Sequence, residues 1–257
     1  MRNIQAISRD QHGDKRWHRP TNFSFAAADN ICPLVLQELP IATMSLPLGF
    51  IKAEDHFSLV AVQGLELGKN LYVDANGRWV AGYIPAAYRG YPFMLANGGD
   101  GKHILCIVDD SKLISISGSG EPFFDEEGKP AATLTSVLEF LTSVVKNREA
   151  TIKVCELLAR HELLQPWQIK LQRDEGEQNI NGLLRVDEAR LNAVSAEVLQ
   201  ELRDTGALHL AYCQLLSMQH LKTLANMFVQ NSKAKLSLPS ELNLDFLRDG
   251  GNISFGE

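Results

Sequence analysis

The sequence has no Cys-x-x-Cys pair, no apolar run near the ~20 residues that cross a bilayer, and no long cluster of Lys and Arg. Each absence excludes a class. The four cysteines, Cys32, Cys106, Cys155 and Cys213, lie far apart among apolar neighbours. That spacing excludes a zinc ribbon or a thioredoxin-type motif and points to buried free thiols in a reducing compartment. The formal net charge is −6, which argues against a nucleic-acid partner, whose backbone is bound through clustered cations. The longest basic feature, Lys15, Arg16, His18 and Arg19, reads as a solvated arm. No apolar run follows Met1 to Gln5, so no secretory signal is visible. A cytoplasmic protein is expected, with any surface association reached by a non-classical route.

Motifs of chemistry are equally scarce. Ala96 to His103 fails as a phosphate loop, because Ala96 stands where the first Gly is required and His103 where Ser or Thr is required. His161-Glu162-Leu163-Leu164-Gln165 fails as a zinc-protease helix, because Gln165 replaces the second His one turn on. Asp74-Ala75-Asn76-Gly77 opens like a calcium loop but lacks the later bidentate Glu. There is no Gly-x-Ser-x-Gly elbow. Asp187-Glu188 is better placed to start a helix, where carboxylates favour the positive end of the dipole, than to perform acid–base work. The sequence therefore nominates no catalytic residue, no metal ligand and no cofactor.

What is present is a core. Hydrophobic residues make up 45% and charged residues 22% of the 257, enough apolar material to exclude a disordered chain. Pro33 to about Thr43 reads as a short helix interrupted by prolines. Phe57 to Val62 has the length and character of a strand. Leu71-Tyr72-Val73 and Trp79-Val80-Ala81 flank an Asn-Gly pair, which predicts a hairpin. Ile104 to Val108 predicts a strand buried on both faces, followed by a second hairpin into Leu113 to Ser117. Asn97 to Gly101 reads as a mobile Gly-rich loop. Two segments echo each other, Leu71 to Arg78 and Pro122 to Lys129, each running from apolar residues into Asp-x-x-Gly-basic. Turn chemistry alone accounts for the echo.

After Pro130 the period becomes helical. Thr133 is placed to cap a helix carrying Leu134, Val137, Leu138, Leu141 and Val145. Ile152, Cys155 and Leu158 predict a second helix, ended by Pro166. Trp167, Ile169 and Leu171 alternate as a strand does, with Ile180 to Val186 as its partner across the turn at 174–177. Ser195 is placed to cap a helix that stops at Gly206, and Ser217 to cap another, with Leu216 and Leu221 as its hydrophobic staple. Strands first and helices later predict an α+β protein, antiparallel hairpins of the first half packed with helices of the second in a single compact body. Residues 1–50 form an N-terminal arm, 51–230 the α+β domain and 231–257 a loosely held tail in this reading.

The densest stretch runs from Gly64 to Leu95, where Trp79, Tyr83, Tyr88, Tyr91 and Phe93 occur with Arg78 and Arg89. Aromatics and arginines together build either a recognition surface or a core with Arg stems packed over it. Here the sequence resembles the SapC family. The resemblance is carried by Arg16-Trp17, Arg19-Pro20, Phe23-Ser24-Phe25-Ala26, Asn70 to Val73, Gly77-Arg78-Trp79, Gly82 to Pro85 and Arg89 to Phe93. It continues through Gly120 to Asp125, Leu164 to Trp167, Gly182 to Glu188 and Gly206-Ala207-Leu208, in order over most of the chain.

The resemblance implies a bacterial protein linked to the cell envelope or surface layer, with a protein of that layer as partner and a non-catalytic binding or assembly role. The alternative is an enzyme or accessory subunit that binds a peptide or amino-acid-like ligand, in a pathway with modifying oxygenases or halogenases. It implies no catalytic residues. The candidate contact residues are Arg78, Trp79, Arg89, Tyr91, Phe93 and Trp167, with Arg185 or Asp187 as polar anchors.

Overall fold

The apolar run at Phe57 lies at the centre of the architecture. In the computed structural model, residues 3–237 are described, other than 54, 100–101, 109–112, 117 and 174–175. The chain opens with β1 (Ile4–Ala6), α1 (Arg9–His12), β2 (Arg16–Trp17), β3 (Ile31–Pro33) and α2 (Leu39–Ala42). Then come β4 (Leu48–Ala53), β5 (His56–Val62), α3 (Ala86–Arg89), β6 (Phe93–Asn97), β7 (His103–Val108), β8 (Ile114–Ser115) and β9 (Glu121–Pro122). A long helix, α4 (Ala132–Arg160), precedes β10 (Leu164–Pro166), β11 (Ile169–Arg173), β12 (Gly176–Ile180) and β13 (Leu183–Val186). Four helices close the described chain: α5 (Glu188–Asn192), α6 (Ala196–Asp204), α7 (Ala207–Ser217) and α8 (His220–Ser237). The α+β class is as expected.

The main sheet has the order β10-β13-β4-β5-β3 and is antiparallel throughout. Its centre is the hairpin of β4 and β5, in register from Leu48 opposite Ala61 to Ala53 opposite His56. Leu59, Val60, Ala61 and Val62 are all buried, which explains a continuous apolar run in place of alternation. Helix α7 is stitched to this sheet by buried polar groups. The Val186 N–H donates to Gln214 Oε1 (2.9 Å), Gln214 Nε2 to the Leu48 carbonyl (3.1 Å), and the Leu48 N–H to Ser217 Oγ (2.9 Å). Ser217 thus ends α7 rather than capping the next helix, and its neighbour Leu216 is exposed, so the staple does not form.

Several further expectations are corrected. The two helices predicted between Leu134 and Leu163 are one, 29 residues long. Ala131 is its N-cap, Thr133 lies inside, and it ends before Pro166, where Glu162 turns the chain with φ 55°. The polar stretch around Asn147 to Ala150 looked like a break because it faces solvent. Phe93 to Asn97, not foreseen as a strand, pairs with β7 across the Gly-rich loop. The strand at Ile104 is buried only over Cys106 to Val108. Ile114 and Ser115 pair with β2 instead of β7, and the turn expected at 109–112 lies outside the described residues. β11 pairs with Gly176–Ile180, whereas Leu183–Val186 belongs to the main sheet. Pro33 is in a strand, and the helix expected from it shrinks to Leu39–Ala42 after a single 3₁₀ turn. The helical reading extends to Ser237, and the tail expected beyond it lies outside the described residues.

Residues 4–33 contribute β1, β2 and β3 to three different sheets. Trp17, on β2, is 1% exposed at the centre of a second core with Phe93, Ile107, Phe123, Leu134 and Leu141. The main core includes Val154, Cys155, Leu157 and Leu158. One helix therefore serves both cores, its N-terminal half one and its C-terminal half the other. All four cysteines are buried and free. Among the described residues no helix is long and apolar enough to cross a membrane.

Candidate functional site

Two turns of the same construction occur in the chain, and the first leads into the aromatic region. In the first, Asp74 Oδ1 accepts from the Asn76 and Arg78 N–H groups (both 2.8 Å) and the Asp74 N–H donates to the Arg78 carbonyl (2.9 Å). In the second, Asp125 Oδ1 accepts from the Lys129 N–H (2.7 Å), and the Asp125 N–H donates to the Lys129 carbonyl (2.8 Å). Gly77 (φ 76°) and Gly128 (φ 79°) take the left-handed position in each. A single antiparallel bridge closes each turn, Val73 to Trp79 and Phe124 to Pro130. The predicted hairpin at Asn76-Gly77 is thus an Asp-braced loop with one bridge. The backbone N–H of Arg78, above all, holds the Asp74 carboxyl below its usual range.

The first turn hands the chain to Trp79, which sits half-buried among rings. Phe23, Tyr72 and Tyr88 surround it, with ring centroids at 5.8, 5.8 and 5.7 Å. Its indole N–H donates to the Tyr83 carbonyl at 2.8 Å. Phe25 stacks on Tyr91 at 3.9 Å with 4° between the planes. Beneath these rings runs a buried polar network. The Tyr88 phenol donates to Gln63 Oε1 (2.7 Å), Asn70 Nδ2 donates to the same oxygen (3.0 Å), and the Tyr72 N–H donates to Asn70 Oδ1 (2.9 Å). Burial pushes the Tyr88 and Tyr72 phenols well above the ordinary tyrosine range.

A second network orients Arg89. Glu38, 5% exposed, accepts from the Val35 N–H (2.9 Å), the Ala86 N–H (2.7 Å) and the Tyr83 hydroxyl (2.9 Å). Arg89 Nη2 donates to that same hydroxyl at 3.1 Å. The guanidinium also lies 5.7 Å from the Tyr83 ring centroid and 5.2 Å from that of Phe140. Burial first, then the Glu38 charge, pushes the Tyr83 phenol up to about 12. The hydroxyl stays protonated and links a buried carboxylate to a surface cation.

Two open clefts meet at Arg89. One, of about 480 Å³, lies between Thr21–Phe23 and Arg78–Ile84. The other, of about 410 Å³, has walls from Trp17–Pro20, from Tyr88–Phe93 and from Ser136–Phe140 on α4. Phe23, Ile84 and Arg89 line both.

The structure brings Arg89, Tyr91 and Phe93 together in the second cleft and Arg78, Trp79 and Arg89 in the first. The other candidates sit elsewhere. Trp167 is buried in the main core against β4, where a Cβ on Gly49 would stand 3.2 Å from its ring. Arg185 is on β13 of the same sheet. Asp187 caps α5, accepting from the Arg190 N–H, and pairs with the Arg190 side chain at 3.6 Å. None of these three lines either cleft. Arg78 is engaged by Asp74 at 3.0 Å. The sequence reading missed Arg19, Phe23, Ile84 and Phe140 as cleft residues. The Arg-Pro and Phe-Ser-Phe-Ala segments near the start were the available signal for the first two; Phe140 offered none, being one apolar residue among many on a helix. Among the described residues no three His, Cys, Asp or Glu side chains gather as metal ligands.

A family model described as SapC matches residues 7–224, which takes in both clefts, the second core and most of the main core. Neither the curated proteins nor the solved structures contain a match to the chain.

Proposed function

Because the chain belongs to the SapC family, we propose that it is a non-catalytic binding protein with an assembly role at the bacterial cell envelope or surface layer, and that it engages its partner through the paired clefts at Arg89. The observation that carries the reading is the convergence of rings and a held guanidinium on an open surface, from three remote stretches of chain. Aromatic residues and arginine are the side chains that dominate binding energy at protein interfaces, because they combine large rigid area with directed donors. Arg89 and Tyr91 are the contact residues of this proposal, with the buried Phe93 and the half-buried Trp79 supporting the wall behind them.

Affinity capture from the host by tagged wild-type protein and by Arg89→Ala tests it. An envelope or surface-layer protein retained by the wild type and lost from a variant of unchanged melting temperature supports the reading. Equal capture by both removes the clefts from it. A second reading, an enzyme or accessory subunit binding a peptide or amino-acid-like ligand alongside modifying oxygenases or halogenases, is favoured by the cleft volumes, which lie in the range of small-ligand sites. Recovery of a small molecule or of a modifying enzyme would favour it.

A further inference from the structure

We propose that the cleft around Arg89 receives the C-terminal residue of a partner's peptide chain, its free carboxylate held by Arg19 and Arg89 and its apolar side chain laid against the rings. This deepens the binding reading above and rests on it, since it names the chemistry by which the same cleft recognises its partner.

Charge is the first argument. The two adjoining clefts are lined by three arginines and by no aspartate or glutamate, in a chain whose net charge is −6. A local cationic field on an acidic protein selects an anion. Arg78 is already neutralised by Asp74 at 3.0 Å. Arg19 makes no hydrogen bond or ion pair with another described residue. Arg89 is exposed and spends one donor on the Tyr83 hydroxyl, leaving most of its fork for a ligand. The anion-binding end therefore falls in the cleft that holds Arg19 and Arg89.

Pre-organisation is the second. The Glu38–Tyr83–Arg89 chain, at 2.9 and 3.1 Å, and the Phe140 ring at 5.2 Å fix the guanidinium before any ligand arrives. A planar fork held in place matches a carboxylate in bidentate geometry with little further ordering. Beside it stand Tyr91, Phe93 and Val137, an apolar wall. Trp17, at 1% exposure, backs the same wall with its ring. An anion joined to an apolar body satisfies this surface, and a bare inorganic anion does not.

Shape assigns the source. The cleft shares Phe23, Ile84 and Arg89 with the neighbouring open cleft of about 480 Å³, which gives the residues that precede a chain terminus a place to lie. A free small acid would leave that second cleft unused.

Calorimetric titration of the full chain with the peptide Ala-Ala-Ala-Phe, with its C-terminal amide and with N-acetylphenylalanine tests the proposal. The free acid is expected to bind about tenfold or more tighter than the amide, as a charge-assisted pair requires. Arg89→Gln and Arg19→Gln should each shrink that ratio. Tyr83→Phe, which keeps the ring and removes the hydroxyl, should weaken the acid and leave the amide unchanged, an asymmetry that a purely structural role would not produce. Equal binding of acid and amide overturns the carboxylate assignment while the cleft remains a partner surface. N-acetylphenylalanine binding as tightly as the peptide overturns the chain-terminus assignment in favour of a free small acid. Absence of binding by every probe, with Arg89-dependent capture of an envelope protein intact, overturns this inference alone; loss of that capture as well overturns both.

Discussion

Trp79 shows how one residue couples scaffold and surface. Its ring touches Phe23, Tyr72 and Tyr88, and its N–H is spent on the Tyr83 carbonyl. Trp79→Ala should cost about 3 kcal/mol and lower the melting temperature by many degrees; an unchanged melt would show a ring that serves contact alone. Glu38 is a sharper case. Its two oxygens accept three hydrogen bonds, so Glu38→Gln must turn an amide N–H₂ toward a donor and should destabilise by about 1–3 kcal/mol. Denaturant melts of the two proteins would measure it. Nothing in the sequence marked Glu38, because its importance comes from burial against backbone N–H groups, which only the fold creates. Arg89 and Tyr91 were legible, being Arg and ring side by side; Trp167 looked equivalent and is core, since a Trp reads the same in sequence whether it faces Gly49 or solvent.

At the scale of elements, turn chemistry was the most legible feature. The two Asp-x-x-Gly-basic segments form matching loops because a short carboxylate bracing N–H groups and a glycine at positive φ are local requirements. Gly77→Ala should cost more than Gly128→Ala or Gly182→Ala. All three strain the backbone by about 1–2 kcal/mol, but a Cβ at the buried Gly77 also collides with Ser24 Oγ and crowds Asn22, whereas one at Gly128 meets the end of the exposed Arg9 side chain, which swings aside, and one at Gly182 meets open space. Thermal melts that ranked Gly182→Ala worst would refute this. Two-residue strands such as β2 and β8 were not legible, since pairing over 97 positions leaves no periodic trace. Nor was the continuity of α4, whose exposed middle has the polarity of a loop.

For the molecule as a whole, the α+β class followed from segregated strand and helix patterns, while the clefts, assembled from residues 17–23, 78–93 and 136–140, did not. Buried acids also set a whole-molecule pH response. Tyr83 is raised from 10.0 to about 12 and Cys155 from 9.0 to about 12, each first by burial. The folded state thus keeps protons that the unfolded chain releases near pH 9–10, so their contribution is complete below pH 9 and is lost as pH rises toward 12. The melting temperature should be flat between pH 7 and 9 and fall steadily by pH 11; a flat profile to pH 11 would mean that these groups are solvated in the fold. Removal of residues 238–257 should leave the melt within about 2 °C, because Leu224 and Phe228, which seat α8 in the main core, remain. Truncation from His220 should not be tolerated.

Helix α4 imposes a phase relation on all of this. Each residue of an α-helix advances the side-chain direction by about 100° and the axis by about 1.5 Å. With Leu134 and Leu141 fixed in one core and Cys155 and Leu158 in the other, a single residue inserted near Lys146 would turn one anchor away from its socket. Seven inserted residues would restore the direction yet drive the sockets ~10 Å apart. The sequence between Leu141 and Val154 is therefore locked in length, like the shaft between two keyed gears.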